Sequence, residues 1–217
     1  MGFKKRIINN KIDFPEIEKP ELIDSPSRLL LFAKNQGITC VPLDLNSLCK
    51  KLNINIVYQS LFQLPEIQRS EIQRSEIQRS DKNNISGILF RNFDGSWTIS
   101  VNENHHINRQ RFTIAHELGH YFLHRHEGSV FTDEIFFRSM YFGNEKKQKM
   151  EWQANEFAAT ILMPRQEIVK LISNGIVDIE SLARTFQVST LAMRFQLERT
   201  QLLNDNKVNY VYSDIKN

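Results

Sequence analysis

The 217-residue chain has little cysteine, little excess charge and no long apolar run, and each shortage excludes a class of protein. Its two cysteines, Cys40 and Cys49, do not form a metal-binding pair, so a cysteine-based zinc module is excluded. The net charge of +3, without a dense block of lysine and arginine, gives no support to nucleic-acid binding. No stretch approaches the ~20 apolar residues of a membrane span, and no apolar signal core follows the N-terminal charges. We therefore expect a soluble, cytoplasmic protein with reduced thiols and no membrane partner.

What the sequence does contain is a series of local patterns typical of helices and short strands. Ile54, Ile56 and Tyr58 alternate with polar positions and predict a strand. The turn signal Asp94-Gly95 lies between two apolar segments and predicts a hairpin over about 85–101. Apolar residues at helical spacing predict helices near 29–36, 44–52, 108–125 and 147–163.

Residues 66–80 are three perfect copies of Glu-Ile-Gln-Arg-Ser. A period of five matches neither the 3.6 residues of a helical turn nor the two-residue repeat of a strand, so no single face stays apolar. Long surface loops add little closure entropy. We therefore interpret the repeat as a tandem expansion within a surface loop.

All six histidines lie between positions 105 and 126, and that window contains His116-Glu117-Leu118-Gly119-His120. Two histidines four residues apart on a helix project from one face and can bind one cation. Glu117 then lies beside them, where a carboxylate can act as a catalytic base. Such a pair leaves room for a third protein ligand and an open position, as in catalytic zinc sites.

The third ligand has several candidates. His126 matches the spacing of the metzincin motif, but Leu123 stands where that motif has the glycine that turns the chain. His124 continues the four-residue series, but a third helical step carries it too far along the axis to reach the same ion. Glu151 and Glu156 remain, both on the helix predicted over about 147–163. Glu151 shares its helical face with residues that permit close approach of a second helix: Ala154, Asn155 and Ala158.

Two blocks of sequence resemble the ImmA/IrrE family of bacterial metallo-endopeptidases, which are zincin-like. The first block is Arg111-Phe112-Thr113-Ile114-Ala115-His116-Glu117-Leu118-Gly119-His120, followed by His124. The second block is Glu151-x-x-Ala154-Asn155-x-Phe157-Ala158-Ala159, closing at Leu162-Met163-Pro164. The likeness includes Ser86-Gly87 before the hairpin and extends over roughly residues 22–200.

The resemblance implies a mainly helical α+β fold with a small antiparallel sheet. The absence of periodicity near Pro15 and Pro20 predicts an N-terminal tail over 1–21. We expect a metallopeptidase domain over 22–172 with the repeat loop at 66–80, and a helix-turn-helix-like extension over 173–217. His116, His120 and Glu151 take the family's ligand roles and Glu117 the role of base, with zinc as the expected ion and manganese or another divalent ion as an alternative. The implied substrate is a helix-turn-helix repressor, often encoded beside the protease on mobile elements.

Two further residues are expected to contact the metal ligands without binding the ion themselves. Asn155 lies one helical turn after Glu151 and can hydrogen-bond an imidazole or the carboxylate. His124 is expected to support the ligands or to face solvent. An edge strand near Trp97 to Val101 is expected to bind substrate by strand addition.

The C-terminal segment resembles a helix-turn-helix in which Ser189 caps the second helix. A DNA-reading helix usually presents several long polar or basic side chains, but Thr190, Ala192 and Met193 precede a lone Arg194 here. Direct DNA binding is therefore not expected. The alternative function is a metal-stabilised regulator that binds DNA or a repressor without cleavage, and Glu117 argues against it because a structural metal site needs no base.

Overall fold

The computed structural model describes residues 23–60, 85–134 and 145–203. Within these ranges the chain forms seven helices and four strands. The helices are α1 (Pro26–Asn35), α2 (Leu45–Lys51), α3 (Ile107–His124), α4 (Glu145–Leu162), α5 (Arg165–Ser173), α6 (Ile179–Phe186) and α7 (Thr190–Arg199). The strands are β1 (Ile54–Gln59), β2 (Ile85–Arg91), β3 (Trp97–Asn102) and β4 (Val130–Glu134). The prediction of a mainly helical α+β fold is confirmed.

The four strands form one sheet in the order β1-β3-β2-β4. β2 is antiparallel to both β3 and β4, and β2 and β3 form the expected hairpin. β1, however, runs parallel to β3. The expectation of a wholly antiparallel sheet was therefore wrong. Because β2 runs antiparallel to β3, it also runs opposite to β1, so β2 itself returns the chain before β3 pairs with β1 in the parallel direction.

The position of β3 corrects a second expectation. β3 contains the predicted edge strand Trp97 to Val101, but it lies between β1 and β2 and is a central strand. Ile99 and Val101 are accordingly buried. Among the described residues, β1 and β4 are the outer strands of the sheet. The hairpin pattern identifies only one neighbour of β3, and the second neighbour comes from a distant segment that local sequence does not reveal.

Helix α3 packs against β2 at a glycine. A Cβ atom at Gly87 would lie 2.2 Å from Cγ2 of Thr113 and 3.2 Å from the Ser100 carbonyl oxygen. Real Cβ atoms do not approach other atoms so closely, so only glycine lets the helix lie this near to the strand. The close contact brings the middle of α3, which includes Glu117, directly onto the sheet.

The last two helices, α6 and α7, begin with side-chain caps and pack against each other, and α7 also packs against α4. The Asp178 carboxylate accepts a hydrogen bond from the Ser181 N–H at the start of α6. At the start of α7, Ser189 accepts one from the Ala192 N–H, which confirms the cap predicted from the sequence. Their buried side chains belong to the same hydrophobic core as those of the preceding helices: Leu182, Phe186, Met193 and Leu197.

Two sequence features lie outside the described residues, namely the tail at 1–21 and the repeat at 66–80. In the part of the chain that the structure does describe, no helix has the length and apolar character needed to cross a membrane.

Candidate metal centre

Helix α3 places His116, Glu117 and His120 in the protein interior. His116 and His120 are each 1% exposed and Glu117 is fully buried. Four-residue spacing directs the two imidazoles to one side of the helix, and their Nε2 atoms lie 3.0 Å apart. Two unprotonated ring nitrogens at this distance repel each other unless a proton or a cation lies between them. The arrangement is therefore one that a bound cation would stabilise.

Glu151 of α4 completes this group. Its Oε2 lies 3.3 Å from His116 Nε2, and its Oε1 lies 3.6 Å from His120 Nε2. Ligands about 2.0–2.1 Å from a tetrahedral zinc ion are separated from one another by about 3.3 Å. The three interatomic distances are close to that separation. The residues present therefore fit a zinc-like divalent ion, and in the described part of the chain they are the group with three ligand atoms in reach of one another.

The protonation of two of these residues also suits a cation. Burial lowers the pKa of His120 to about 4, although its hydrogen bond with Glu151 acts in the opposite direction. Burial alone would raise the pKa of Glu151, but the hydrogen bonds and charges of His116 and His120 outweigh it and hold that pKa well below its ordinary value. At neutral pH the site therefore offers a neutral His120 and an ionised Glu151, which are the forms that bind a divalent ion.

Each histidine of the pair has a hydrogen-bond partner on its other ring nitrogen. Nδ1 of His116 lies 2.9 Å from Oδ1 of Asn155. Nδ1 of His120 lies 3.0 Å from Nδ1 of His124, and Nε2 of His124 lies 3.1 Å from Oε1 of Gln153. The structure thus places Asn155 and His124 next to the two histidines. The Asn155 oxygen accepts from the Nδ1–H of His116, so once a cation replaces the hydrogen bond to Glu151, Nε2 of that ring can offer the cation its lone pair.

The rival ligand candidates lie elsewhere. Glu156 accepts a 2.6 Å hydrogen bond from Nη1 of Arg199 on α7, and it points away from the histidine pair. His126 follows the end of α3 and is not part of the three-residue group. The carboxylate that α4 brings to the histidines is therefore Glu151, while Glu156 connects α4 to the C-terminal helices.

Three residues around the site were not identified from the sequence as part of it. Phe131 of β4 stacks on the His120 ring at a centroid distance of 5.1 Å, and Gln153 bonds to His124. Gly87 lies beside Glu117, because a Cβ atom at that position would be 3.3 Å from Glu117 Oε1. Phe131 lies on β4, a strand that the sequence did not predict, and Gln153 lies two residues from Glu151, a spacing that does not indicate a shared helical face. The pair Ser86-Gly87 was noted in the sequence, but without a role.

Comparison with known proteins agrees with the sequence resemblance. The family model described as "IrrE N-terminal-like domain" (Peptidase_M78) matches residues 49–198. "Metallopeptidase ImmA" of Bacillus subtilis (strain 168) is 30% identical over 108 residues, which are 48% of this chain and 56% of that protein. A "Mycobacterium tuberculosis transcriptional regulator" shares the fold with a TM-score of 0.50 at 16% identity, over 85% of this chain and 48% of that one.

The chain therefore spans just over half of the curated relative and about half of the solved structure. At 16% identity, the likeness to the transcriptional regulator shows the fold alone. The family model, in contrast, matches well over half of the 217 residues and includes every residue of the metal centre. On this match, the chain belongs to the ImmA/IrrE family.

Proposed function

We propose that this protein is a zinc-dependent endopeptidase that cleaves a protein substrate. The observation that carries the proposal is the convergence of His116, His120 and Glu151 beside a buried Glu117. A metal site with a structural role alone is usually closed by four protein ligands, whereas a catalytic site has three and keeps an open position. Three protein ligands in reach of one another therefore favour catalysis.

In this proposal His116, His120 and Glu151 hold the ion and Glu117 handles the proton. When bound, a divalent ion supplies Lewis acidity that polarises the peptide carbonyl and makes water a better nucleophile at neutral pH. Glu117 accepts a proton as the water oxygen attacks the carbonyl carbon. It then delivers that proton to the amide nitrogen as the carbon–nitrogen bond breaks. Asn155 keeps the His116 ring in its orientation through the 2.9 Å contact.

We expect the substrate backbone to lie along β4, in place of the central strand that the sequence suggested. β4 is an outer strand in the described sheet, and its Phe131 contacts the His120 ring. An extended peptide that adds to an outer strand gains backbone hydrogen bonds, while its side chains alternate in direction. This position would bring one peptide bond of the substrate close to the metal centre.

For the identity of the substrate we propose a helix-turn-helix repressor. This part of the proposal rests on the family resemblance, which implies a helix-turn-helix repressor as the protein that the peptidase cleaves. Zinc is the proposed ion because tetrahedral sites with histidine and carboxylate ligands suit it. Manganese and cobalt are the alternatives to compare.

The test is to incubate the purified protein with candidate repressors and each metal, and to detect fragments by mass spectrometry. Glu117→Gln keeps the size of the side chain and leaves the ligands in place, so it should retain zinc and lose cleavage by several orders of magnitude. Wild-type protein treated with a chelator should also be inactive and should recover when zinc is added. Cleavage by Glu117→Gln at the wild-type rate would contradict the mechanism. Zinc retention without cleavage of any repressor by the wild type would instead favour a metal-stabilised regulator.

A further inference from the structure

Gln153, which is half-buried, and the buried His124 form a hydrogen-bond chain that ends on His120. We infer that Gln153 is a positioning residue, which acts through His124 to hold the His120 ring with its Nε2 lone pair toward the metal centre. This inference rests on the proposed function, because it assumes that His120 binds a metal ion. It concerns two side chains that neither bind the ion nor touch the substrate.

The direction of the chain follows from hydrogen-bond chemistry. Oε1 of Gln153, 3.1 Å from Nε2 of His124, can only accept, so that ring nitrogen carries the hydrogen. A neutral His124 then has a lone pair on Nδ1, which lies 3.0 Å from Nδ1 of His120. His120 must therefore carry its hydrogen on Nδ1. Its Nε2, on the side of Glu151, is left with a lone pair.

The reverse direction would prevent metal binding. If the amide nitrogen of Gln153 donated to His124, the Nδ1–H of His124 would point at His120, and the His120 hydrogen would move to Nε2. That hydrogen would occupy the place of the cation between His116 and His120. The amide of Gln153 can turn either its oxygen or its nitrogen toward His124. The orientation with the oxygen toward His124 favours metal binding, and a bound ion in turn favours that orientation.

Burial makes this chain difficult to replace with water. His120 and His124 are 1% and 3% exposed, so a ring nitrogen that loses its partner there is left unsatisfied at a cost. Both orienting chains also begin on α4, since Asn155 bonds to His116 and Gln153 reaches His120 through His124. Helix α4 therefore supplies the third ligand together with the groups that orient the other two.

The experiment compares zinc affinity in three glutamine variants, in one His124 variant and in one double variant. Gln153→Leu removes the acceptor at similar volume, Gln153→Glu keeps an acceptor and cannot donate, and Gln166→Leu makes the same change at an exposed position of α5. Affinity is measured by competition with a chromophoric chelator, and the visible spectrum of the cobalt-loaded protein reports the ligand geometry. Loss of a partner of a metal-binding histidine typically weakens metal affinity about 10–100-fold.

We expect Gln153→Leu to weaken zinc binding by about 10–100-fold and to change the cobalt spectrum. Gln153→Glu should bind zinc at least as tightly as wild type, and Gln166→Leu should match wild type. His124→Phe should weaken zinc binding similarly. The zinc affinity of the His124→Phe/Gln153→Leu double variant should equal that of the single variant with the lower affinity, because both substitutions break the same hydrogen-bond chain.

Two outcomes separate this inference from the proposed function. If Gln153→Leu binds zinc as tightly as wild type, or if Gln153→Glu is weakened as much as Gln153→Leu, the positioning role is wrong while the metal centre stands. If wild-type protein itself retains no divalent ion, the proposed function is wrong. Melting temperatures of the metal-free variants serve as the folding control, because a packing defect would lower them together with the affinity, whereas a positioning role leaves them near that of wild type.

Discussion

Gly119 of α3 lies directly against the backbone of Ala154 in α4. A Cβ atom at position 119 would stand 2.9 Å from the Ala154 Cα and 3.0 Å from its carbonyl oxygen. On α3, His120 follows Gly119 and His116 lies one helical turn before it, while Gln153 and Asn155 flank Ala154 on α4. A close backbone approach of the two helices therefore lies at the metal centre. This contact brings the Glu151 carboxylate within reach of both imidazoles.

Gly119→Ala should consequently weaken both folding and metal binding. Alanine is the better helix former by about 1 kcal/mol, but forcing a methyl group against backbone atoms typically costs about 1–3 kcal/mol. We expect a net fall in melting temperature of a few degrees, together with a loss of zinc affinity as α3 and α4 move apart. Calorimetry and chelator competition measure the two effects.

The double variant Gly119→Ala/Ala154→Gly is the control for this explanation. Removing the Ala154 side chain relieves only a 3.3 Å contact with its Cβ, and the shorter contacts with the Ala154 backbone remain. The second substitution should therefore fail to restore zinc affinity. Full recovery would show that side-chain crowding, and not the backbone approach, sets the distance between the helices.

Gly87→Ala should reduce cleavage by more than its loss of folding stability would cause. The added methyl group would collide with Cγ2 of Thr113 at 2.2 Å and would also lie 3.3 Å from Glu117 Oε1. Thr113→Ser removes that Cγ2 atom. We expect Gly87→Ala/Thr113→Ser to regain melting temperature over Gly87→Ala alone, with cleavage recovering only in part because the methyl group still crowds the base. Complete recovery of cleavage would mean that β2 does not position Glu117.

The parts of the site that the sequence could predict are those with local causes. The four-residue spacing of His116 and His120 follows from the helical period, and Ser189 was recognisable as a cap from its residue type. The contact of Gln153 with His124 depends instead on how α3 and α4 pack across each other. The sequence pattern of neither helix predicts that packing. Likewise, the pairing of β1 with β3 joins segments separated by a long connection whose length does not specify a partner.

Glu151 and Glu156 give a direct comparison within one helix. Glu151→Gln removes the charge that faces His116 and His120, so the protein should lose its ion during dialysis against a mild chelator. Glu156→Gln should retain the ion. It weakens only a partly exposed pair with Arg199, whose typical contribution to stability is about 0–1 kcal/mol. Metal content after dialysis, measured side by side, decides between them. Loss of metal from the Glu156 variant alone would show that the chosen carboxylate is wrong.

The C-terminal helices α6 and α7 should not recognise a specific DNA sequence. On α7, Arg194 pairs with Glu198 at 3.0 Å and Arg199 pairs with Glu156 at 2.6 Å, so both arginines of the helix are engaged with carboxylates. The exposed positions Leu191 and Phe195 offer apolar groups, which do not hydrogen-bond to base edges.

We therefore expect only a weak, sequence-independent association with duplex DNA that disappears as salt is raised, because contacts to phosphates alone behave in this way. Fluorescence anisotropy titrations of a random duplex and of candidate operators, at low and at physiological salt, measure it. Arg194→Ala should reduce any low-salt binding slightly and equally for all duplexes. A footprint on one defined sequence that survives physiological salt, and that Arg194→Ala or Arg199→Ala removes, would contradict this prediction. That result would favour a regulator that contacts DNA through α7.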